Sequence, residues 1–298
     1  MKESVVKETN IEVRQATQPQ KRQLDYIKAI PLFSIIGFTT LVVVPWYGVT
    51  YGYSWLDWTL FGILYLITGL GITVGYHRLI SHRSFECHPA VRVAFLIAGG
   101  WALENSAIKW GADHVRHHAF TDTDDDPYNA KRGFWYSHCG WIFYKTQPIY
   151  EKFRAPFLRD KWLVWQERYY IPIVISGLLL PALVSGLFYG WQGAIGAFLL
   201  AGVARVFLVL NSTFCINSIC HLWGTQPYDA KNTSRDSWWI SLITLGEGYH
   251  NYHHAFQRDY RNGPKWGNFD PSKWLIFMLY KIGLADNLVR GTKGGISS

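Results

Sequence analysis

Four apolar stretches arranged in two pairs constrain this chain more than any other feature. The first pair runs roughly from Ala29 to Thr50 and from Trp58 to Tyr76, the second from Ile171 to Tyr189 and from Gly193 to about Cys215. A helix of about 20 apolar residues crosses the hydrocarbon core of a bilayer. Four spans in two hairpins is therefore the simplest count. The two hairpin tips, Gly48 to Asp57 and Gly190-Trp191-Gln192, contain no Lys or Arg. Basic residues gather at the other ends: Lys21, Arg22 and Lys28 before the first stretch, Arg78 and Arg83 after the second, and Arg159, Lys161 and Arg168 before the third. Cytoplasmic flanks of spanning helices are enriched in Lys and Arg. The expectation is an integral, multi-pass membrane protein with both termini and the whole segment from His77 to Tyr170 on the cytoplasmic side.

Composition agrees. Hydrophobic residues make up 49% of the chain and charged ones only 17%, against roughly 25% charged in soluble domains. The net charge of +8 comes without any long basic run, which leaves nucleic-acid binding without a patch or motif. Anionic lipid headgroups are the better partner, attracting each Lys or Arg beside a span by about 1 kcal/mol. Cys87, Cys139, Cys215 and Cys220 form no C-x-x-C pair and read as reduced and structural. The first 25 residues are polar and lack an apolar core before a cleavage site, so residues 1–28 are expected to be a disordered cytoplasmic tail rather than a secretory signal. Two shorter apolar runs, Val91 to Leu103 and Trp274 to Leu284, suit either core helices or interfacial ones. Without repeats or low-complexity linkers, residues 29–285 read as one domain and 286–298 as a C-terminal tail.

Histidine placement carries the chemistry. Eight of the eleven histidines fall in three tracts, His77/His82, His114/His117/His118 and His250/His253/His254. Spacing of i, i+3, i+4 in the second and third tracts places three imidazoles on one helical face. His77 and His82 lie about 140° apart on an ideal helix and would converge only where the second span frays or bends. One histidine at a membrane interface is ordinarily a hydrogen-bonded amphipathic residue. Eight in three clusters would repel if protonated together and would need a partner on each ring nitrogen if neutral; a shared cation answers both problems. Zinc takes four ligands in a structural site and three plus water in a catalytic one, so eight imidazoles suit two ions. Imidazole accepts iron, copper, nickel and zinc alike. Asn217 and His221 add an i, i+4 polar pair at the end of the fourth span, where intramembrane polar groups are functional candidates or snorkel to the headgroups.

These tracts, with D-D-D-P-Y-N-A-K-R-G-F-W-Y-S-H-C-G-W (Asp124 to Trp141), N-S-I-C-H-L-W-G (Asn217 to Gly224) and G-E-G-Y-H-N-Y-H-H (Gly246 to His254), resemble the membrane fatty acyl desaturases, in particular their stearoyl-CoA-like delta-9 branch, over roughly residues 30 to 285. The resemblance implies an all-α membrane fold of four spans with a cytosolic helical cap. It implies two irons held by His77, His82, His114, His117, His118, His221, His250, His253 and His254, with Asn217 acting through a water. It also implies the reaction: two hydrogens leave adjacent methylenes of a long saturated acyl chain, O2 and two electrons are consumed, and water is released, giving a cis double bond. An alkyl C–H bond offers neither an acidic proton nor an electrophile, so no separate acid, base or nucleophile is assigned. By the same resemblance Asn105, Trp110 and Asp113 would lie near the mouth of a substrate tunnel and Thr213 and Phe214 near its bend, although Trp110 and Phe214 also suit ordinary packing. Positioning of the chain would set regioselectivity.

One departure concerns the acyl carrier. Animal acyl-CoA desaturases carry Trp-Ala-Arg-Asp before the second tract, where this chain has Trp110-Gly111-Ala112-Asp113. Acyl-CoA, acyl carrier protein and an acyl-lipid all stay open as carriers. About 44 residues follow His254, fewer than the haem domain fused to some relatives. An external electron donor of the ferredoxin, rubredoxin or cytochrome b5 type is expected. Two rival readings are a fatty-acid or alkane hydroxylase with the same centre and a non-catalytic membrane metal transporter or sensor. Transport predicts ionisable groups along mid-span, whereas Arg205 is the one charge inside a predicted span.

Overall fold

The computed structural model describes residues 29–144, 149–292 and 295–297. The expected tail 1–28, with Lys21, Arg22 and Lys28, lies outside them. In chain order the helices that position the site are α1 (Ile30–Thr50), α2 (Trp55–Ser81), α3 (Pro89–Gly100), α4 (Ala107–Phe120), α5 (Phe134–His138), α6 (Lys161–Arg168), α7 (Tyr170–Leu222), α8 (Trp238–Ile243), α9 (His250–Ala255) and α10 (Pro271–Lys281). Among the described residues, α1, α2 and α7 are long and apolar enough to cross a membrane.

Helix α2 begins earlier and ends later than the apolar stretch Trp58 to Tyr76. Ser54 and Asp57, expected in the connector, form a capping box: the Asp57 amide donates to Ser54 Oγ (3.2 Å) and the Ser54 amide to Asp57 Oδ2 (2.8 Å). The helix therefore starts at Trp55. From Gly71 to Ser81 it winds as a π-helix. A Cβ on Gly71 would sit 2.4 Å from the Gly99 amide nitrogen of α3, so only glycine allows α3 to lie so close along this segment.

Helix α7 has 53 residues, which would be about 80 Å if straight. It turns back at Gly190, whose φ of 63° suits glycine. The two limbs then run side by side, with Arg205 Nη2 donating to the Gly177 carbonyl (3.1 Å). The same guanidinium, fully buried, donates to the carbonyls of Ala201 and Trp101 and to Thr68 Oγ1. The mid-span charge is thus a tie between α2, both limbs of α7 and the end of α3. At the far end Tyr47 donates to the Gln192 carbonyl (2.7 Å) and Ser185 to Asp57 (2.6 Å), fastening one hairpin to the other.

The remaining elements gather at the histidine end. Glu86–Cys87 (β1) pairs antiparallel with Ala285–Asp286 (β2), which straddles the boundary expected between domain and tail. The Val289 amide then donates to the Ser84 carbonyl (2.9 Å). The chain after Leu284 is thereby laid against the segment that follows α2. All four cysteines are free.

Candidate metal centre

Four separate elements deliver nine imidazoles to one place. α2 supplies His77, with His82 just past its end; α4 supplies His114, His117 and His118; the end of α7 supplies His221; α9 supplies His250, His253 and His254. A π-helix repeats its hydrogen bonds every five residues, and the His82 amide donates to the His77 carbonyl (3.1 Å). Two side chains that an ideal α-helix would splay are therefore brought together edge to face, with ring centroids 4.8 Å apart. Close packing of α3 on Gly71 accompanies that winding.

The nine imidazoles divide into two groups. His77, His82, His114, His118 and His253 form one, and His117, His221, His250 and His254 the other, with donor nitrogens in each group within 4.8 Å of one another. The second and third tracts do not each act as a single chelating edge, as their spacing suggests. Each splits: His114 and His118 turn to the first group and His117 to the second, while His250 and His254 turn to the second and His253 to the first. Splitting both tracts places the two groups side by side.

Within each group the Nε2 atoms converge. His82 and His114 lie 2.7 Å apart, His77 and His253 3.0 Å, His118 and His253 2.9 Å, and in the second group His250 lies 3.1 Å from both His221 and His254. Ligands about 2.0–2.1 Å from a shared cation would themselves be spaced by roughly 3 Å. The electrostatics agree with the geometry. Burial first, and neighbouring imidazoles second, hold the pKa of His82, His114, His118, His250, His253 and His254 well below the usual histidine value. Neutral rings keep a lone pair for a cation.

Outer partners orient several of the rings. Glu247 Oε2 lies 2.8 Å from His77 Nδ1, and its other oxygen accepts from Arg78 (2.9 Å). Asp126 lies 2.9 Å from His117 Nδ1. His221 Nδ1 lies 2.8 Å from the Thr233 hydroxyl, which donates to Asp122 (2.6 Å). Burial alone would raise both carboxylates, yet His77 and Arg78 hold Glu247 low, and His117 holds Asp126 low. An ionised carboxylate can only accept, so His77 and His117 each donate Nδ1–H to it, which leaves Nε2 as the ring nitrogen facing inward. The Nδ1 atoms of His118, His250 and His253 are buried without a hydrogen-bond partner; a bound cation would hold those rings through Nε2. The donor set thus fits two metal ions.

A sequence model of the family described as fatty acid desaturase matches residues 53–262, a stretch that contains all nine of these histidines. The chain belongs to the fatty acid desaturase family. It is 44% identical to acyl-CoA desaturase 1 of Saccharomyces cerevisiae over 78% of this chain and 46% of that one. It is 37% identical to human stearoyl-CoA desaturase 5 over 77% of this chain and 71% of the relative. The sn-2 palmitoyl-lipid 9-desaturase of Nostoc sp. is 34% identical over 92% of this chain and 93% of its own length. The chain thus spans about half the length of the yeast relatives it matches.

Against this desaturase-family centre lies a cavity of about 530 Å³, bordered by His77, His114, His117 and His250. Asn105, Trp110, Asp113, Thr213, Phe214 and Asn217 all line it. Trp110 stacks on His114, with ring centroids 4.9 Å apart, and Asp113 accepts from Lys109 (2.8 Å). Beyond Thr213 a smaller hollow, lined in part by Ile72, Thr73 and Ile216 as well, continues toward Leu245.

Sequence reasoning passed over Glu104, which lines the same cavity. One oxygen accepts from Trp110 Nε1 (2.9 Å), the other from Thr213 Oγ1 (2.8 Å). Burial pushes its pKa up to about 7 from an ordinary 4.5, while the hydrogen bonds from Thr213 and Trp110 pull the other way. A raised carboxyl favours the protonated form in the fold; that contribution is complete below about pH 4.5 and lost as pH rises through about 7. An apolar chain filling the cavity would further disfavour the ionised form. The KM for an acyl substrate is therefore expected to climb as pH passes about 7, and a Glu104→Gln variant to flatten that climb. A pH profile of KM and kcat for both proteins checks this, and an unchanged slope in the variant contradicts it.

Proposed function

We propose that this chain is an O2-dependent fatty acyl desaturase that places a cis double bond, at the delta-9 position, in a long saturated acyl chain at a di-iron centre. The convergence of nine imidazoles into two adjacent groups beside a cavity walled in part by Trp110, Leu210 and Phe214 carries the reading. Bound there, iron would supply, with O2 and two electrons from an external donor, the oxidising power that an unactivated C–H bond demands. His77, His82, His114, His118 and His253 would hold one ion. His117, His221, His250 and His254 would hold the other, with Asn217 on the cavity wall contributing through a water.

The chain's own residues do the positioning. Trp110 and Phe214 offer apolar walls, and Glu104 fastens Trp110 to Thr213 across the cavity, fixing where an acyl chain must bend beside the imidazoles. Asn105 and Asp113 would face the carrier end. The carrier itself is CoA, acyl carrier protein or a glycerolipid; relatives named for acyl-CoA and for palmitoyl-lipid both align with this chain. Ala112 carries no charge to offer a carrier phosphate, and it is fully buried.

The membrane reading follows from α1, α2 and α7. With the turn at Gly190 dividing α7, four crossings place both tips, which lack Lys and Arg, on one side. Arg83, Arg159 and Lys161 then lie beside the imidazoles on the cytoplasmic side, as basic flanks favour. A ferredoxin, rubredoxin or cytochrome b5 type donor would meet that face.

The reading is tested by feeding saturated acyl chains on each of the three carriers to the purified protein and weighing the products. Desaturation lowers the product by about two daltons by loss of two hydrogens, the outcome expected. A gain of one oxygen atom, with no alkene, would replace desaturation by hydroxylation.

A further inference from the structure

The loop between α9 and α10 displays Trp266 at 93% exposure, yet the loop is tightly built. Lys273 Nζ donates to the carbonyls of Gly263 (2.7 Å), Lys265 (2.7 Å) and Asn268 (3.0 Å). Asn268 Oδ1 accepts from the Lys265 amide, and Asp270 accepts from the amides of Asn262, Gly263 and Lys273. A loop fastened in this way keeps position 266 at the surface.

The depth of the neighbouring helices says what it meets. Ser272, at the start of α10, bonds Thr73 of α2 (2.7 Å). Leu245, just after α8, packs on Gly69, and the Ile243 carbonyl at the end of α8 accepts from Tyr65 (2.8 Å). Thr73, Gly69 and Tyr65 lie four, eight and twelve residues before His77 along α2, the last two within its apolar α-helical part. Neither α8 nor α10 is long enough to cross a membrane, but both lie beside a stretch of α2 that a membrane would cover.

Their outward faces are apolar. Trp238 and Leu242 are exposed on α8, and Trp274, Phe277 and Met278 on α10, while Ile276 and Leu279 on the other side of α10 are buried. Ile63, Leu66 and Ile67 are exposed on α2, close in sequence to Tyr65 and Gly69. Lys265 and Lys281 are exposed as well, and Lys281 folds over the Phe277 ring at 5.3 Å.

We propose that α8, α10 and the Trp266 loop form a shelf lying in the plane of the bilayer, with the indole of Trp266 seated among phospholipid headgroups and Lys265 beside their phosphates. Trp and Lys favour this level because each joins an apolar body to a polar tip. The inference rests on the reading that α2 crosses a membrane.

Fluorotryptophan-labelled protein in phospholipid nanodiscs tests it by fluorine NMR, with the Trp266 resonance assigned by its loss in a Trp266→Phe variant. A phospholipid carrying a nitroxide near the top of its acyl chain is expected to broaden that resonance more than a water-soluble gadolinium chelate does. Trp46, 57% exposed on α1 and assigned through Trp46→Phe, reports the membrane reading separately. Broadening of Trp266 by the chelate alone, with Trp46 still broadened by the lipid nitroxide, overturns the shelf. Broadening of both by the chelate alone overturns the membrane reading itself.

Discussion

A His250→Ala variant is expected to bind one metal ion per chain instead of two and to lose desaturation to background. His250 belongs to the smaller group of four, and its Nε2 lies 3.1 Å from those of His221 and His254. Removal leaves three imidazoles and a gap open to the cavity it borders. Its Nδ1 is buried without a hydrogen-bond partner among the described residues, so Nε2 is the atom through which a cation would hold the ring. His138 provides the control. It lies outside both groups, with Nδ1 3.0 Å from Ser218 Oγ and Nε2 3.3 Å from Asn211 Oδ1, tying α5 to α7. A His138→Gln variant should keep both ions. Metal analysis and acyl-product assays on the pair separate loss of a ligand from loss of a histidine.

The second large effect is expected from Glu247→Ala. This carboxylate binds His77 and Arg78 and also accepts from Asn262, all three buried. Breaking a buried ion pair from one side typically costs about 3–5 kcal/mol, because the remaining charge is stranded. Asp270, 3.0 Å from Arg78, retains part of that guanidinium's compensation, so roughly 3 kcal/mol is expected here. Loss of an outer partner also typically weakens metal binding by about 10–100-fold. Glu247→Gln keeps the shape and one acceptor and should lose less on both counts. Thermal unfolding in detergent and metal titration of the two variants check this. Equal behaviour of Glu247→Ala and the unsubstituted protein would contradict the orienting role.

The two carboxylates that orient imidazoles were present in the motifs without being readable as such. Glu247 stands in G-E-G-Y-H and Asp126 in D-D-D-P, each close in sequence to a histidine tract. Their partners are decided by the fold: Glu247 reaches back to His77, and Asp126 is brought to His117. Glu104 was harder still, being a single charge at the end of an apolar run. Only the meeting of α4 with α7 gives it Trp110 and Thr213.

Spacing did carry the histidines themselves, because i, i+3, i+4 survives any helix. It could not carry their division between two groups, since rings three and four positions apart share a face yet lean to opposite sides of it. Nor could it carry the π-turn that joins His77 to His82, a local winding tied to how closely α3 packs on Gly71. The capping pair Ser54 and Asp57 is a legible helix start, but hydrophobicity alone assigns both residues to the connector. The turn at Gly190 was the reverse case. Three residues without charge between two apolar runs sufficed to place it, and the positive φ of Gly190 supplies its physical reason.

The claim that two metal ions sit side by side among nine imidazoles is tested most directly by elemental analysis of the full chain purified from iron-supplied cells. Two iron ions per chain are the expected result, falling to one in His250→Ala. A protein that carries no iron, or whose metal content is unchanged when His250 is replaced, would contradict the account.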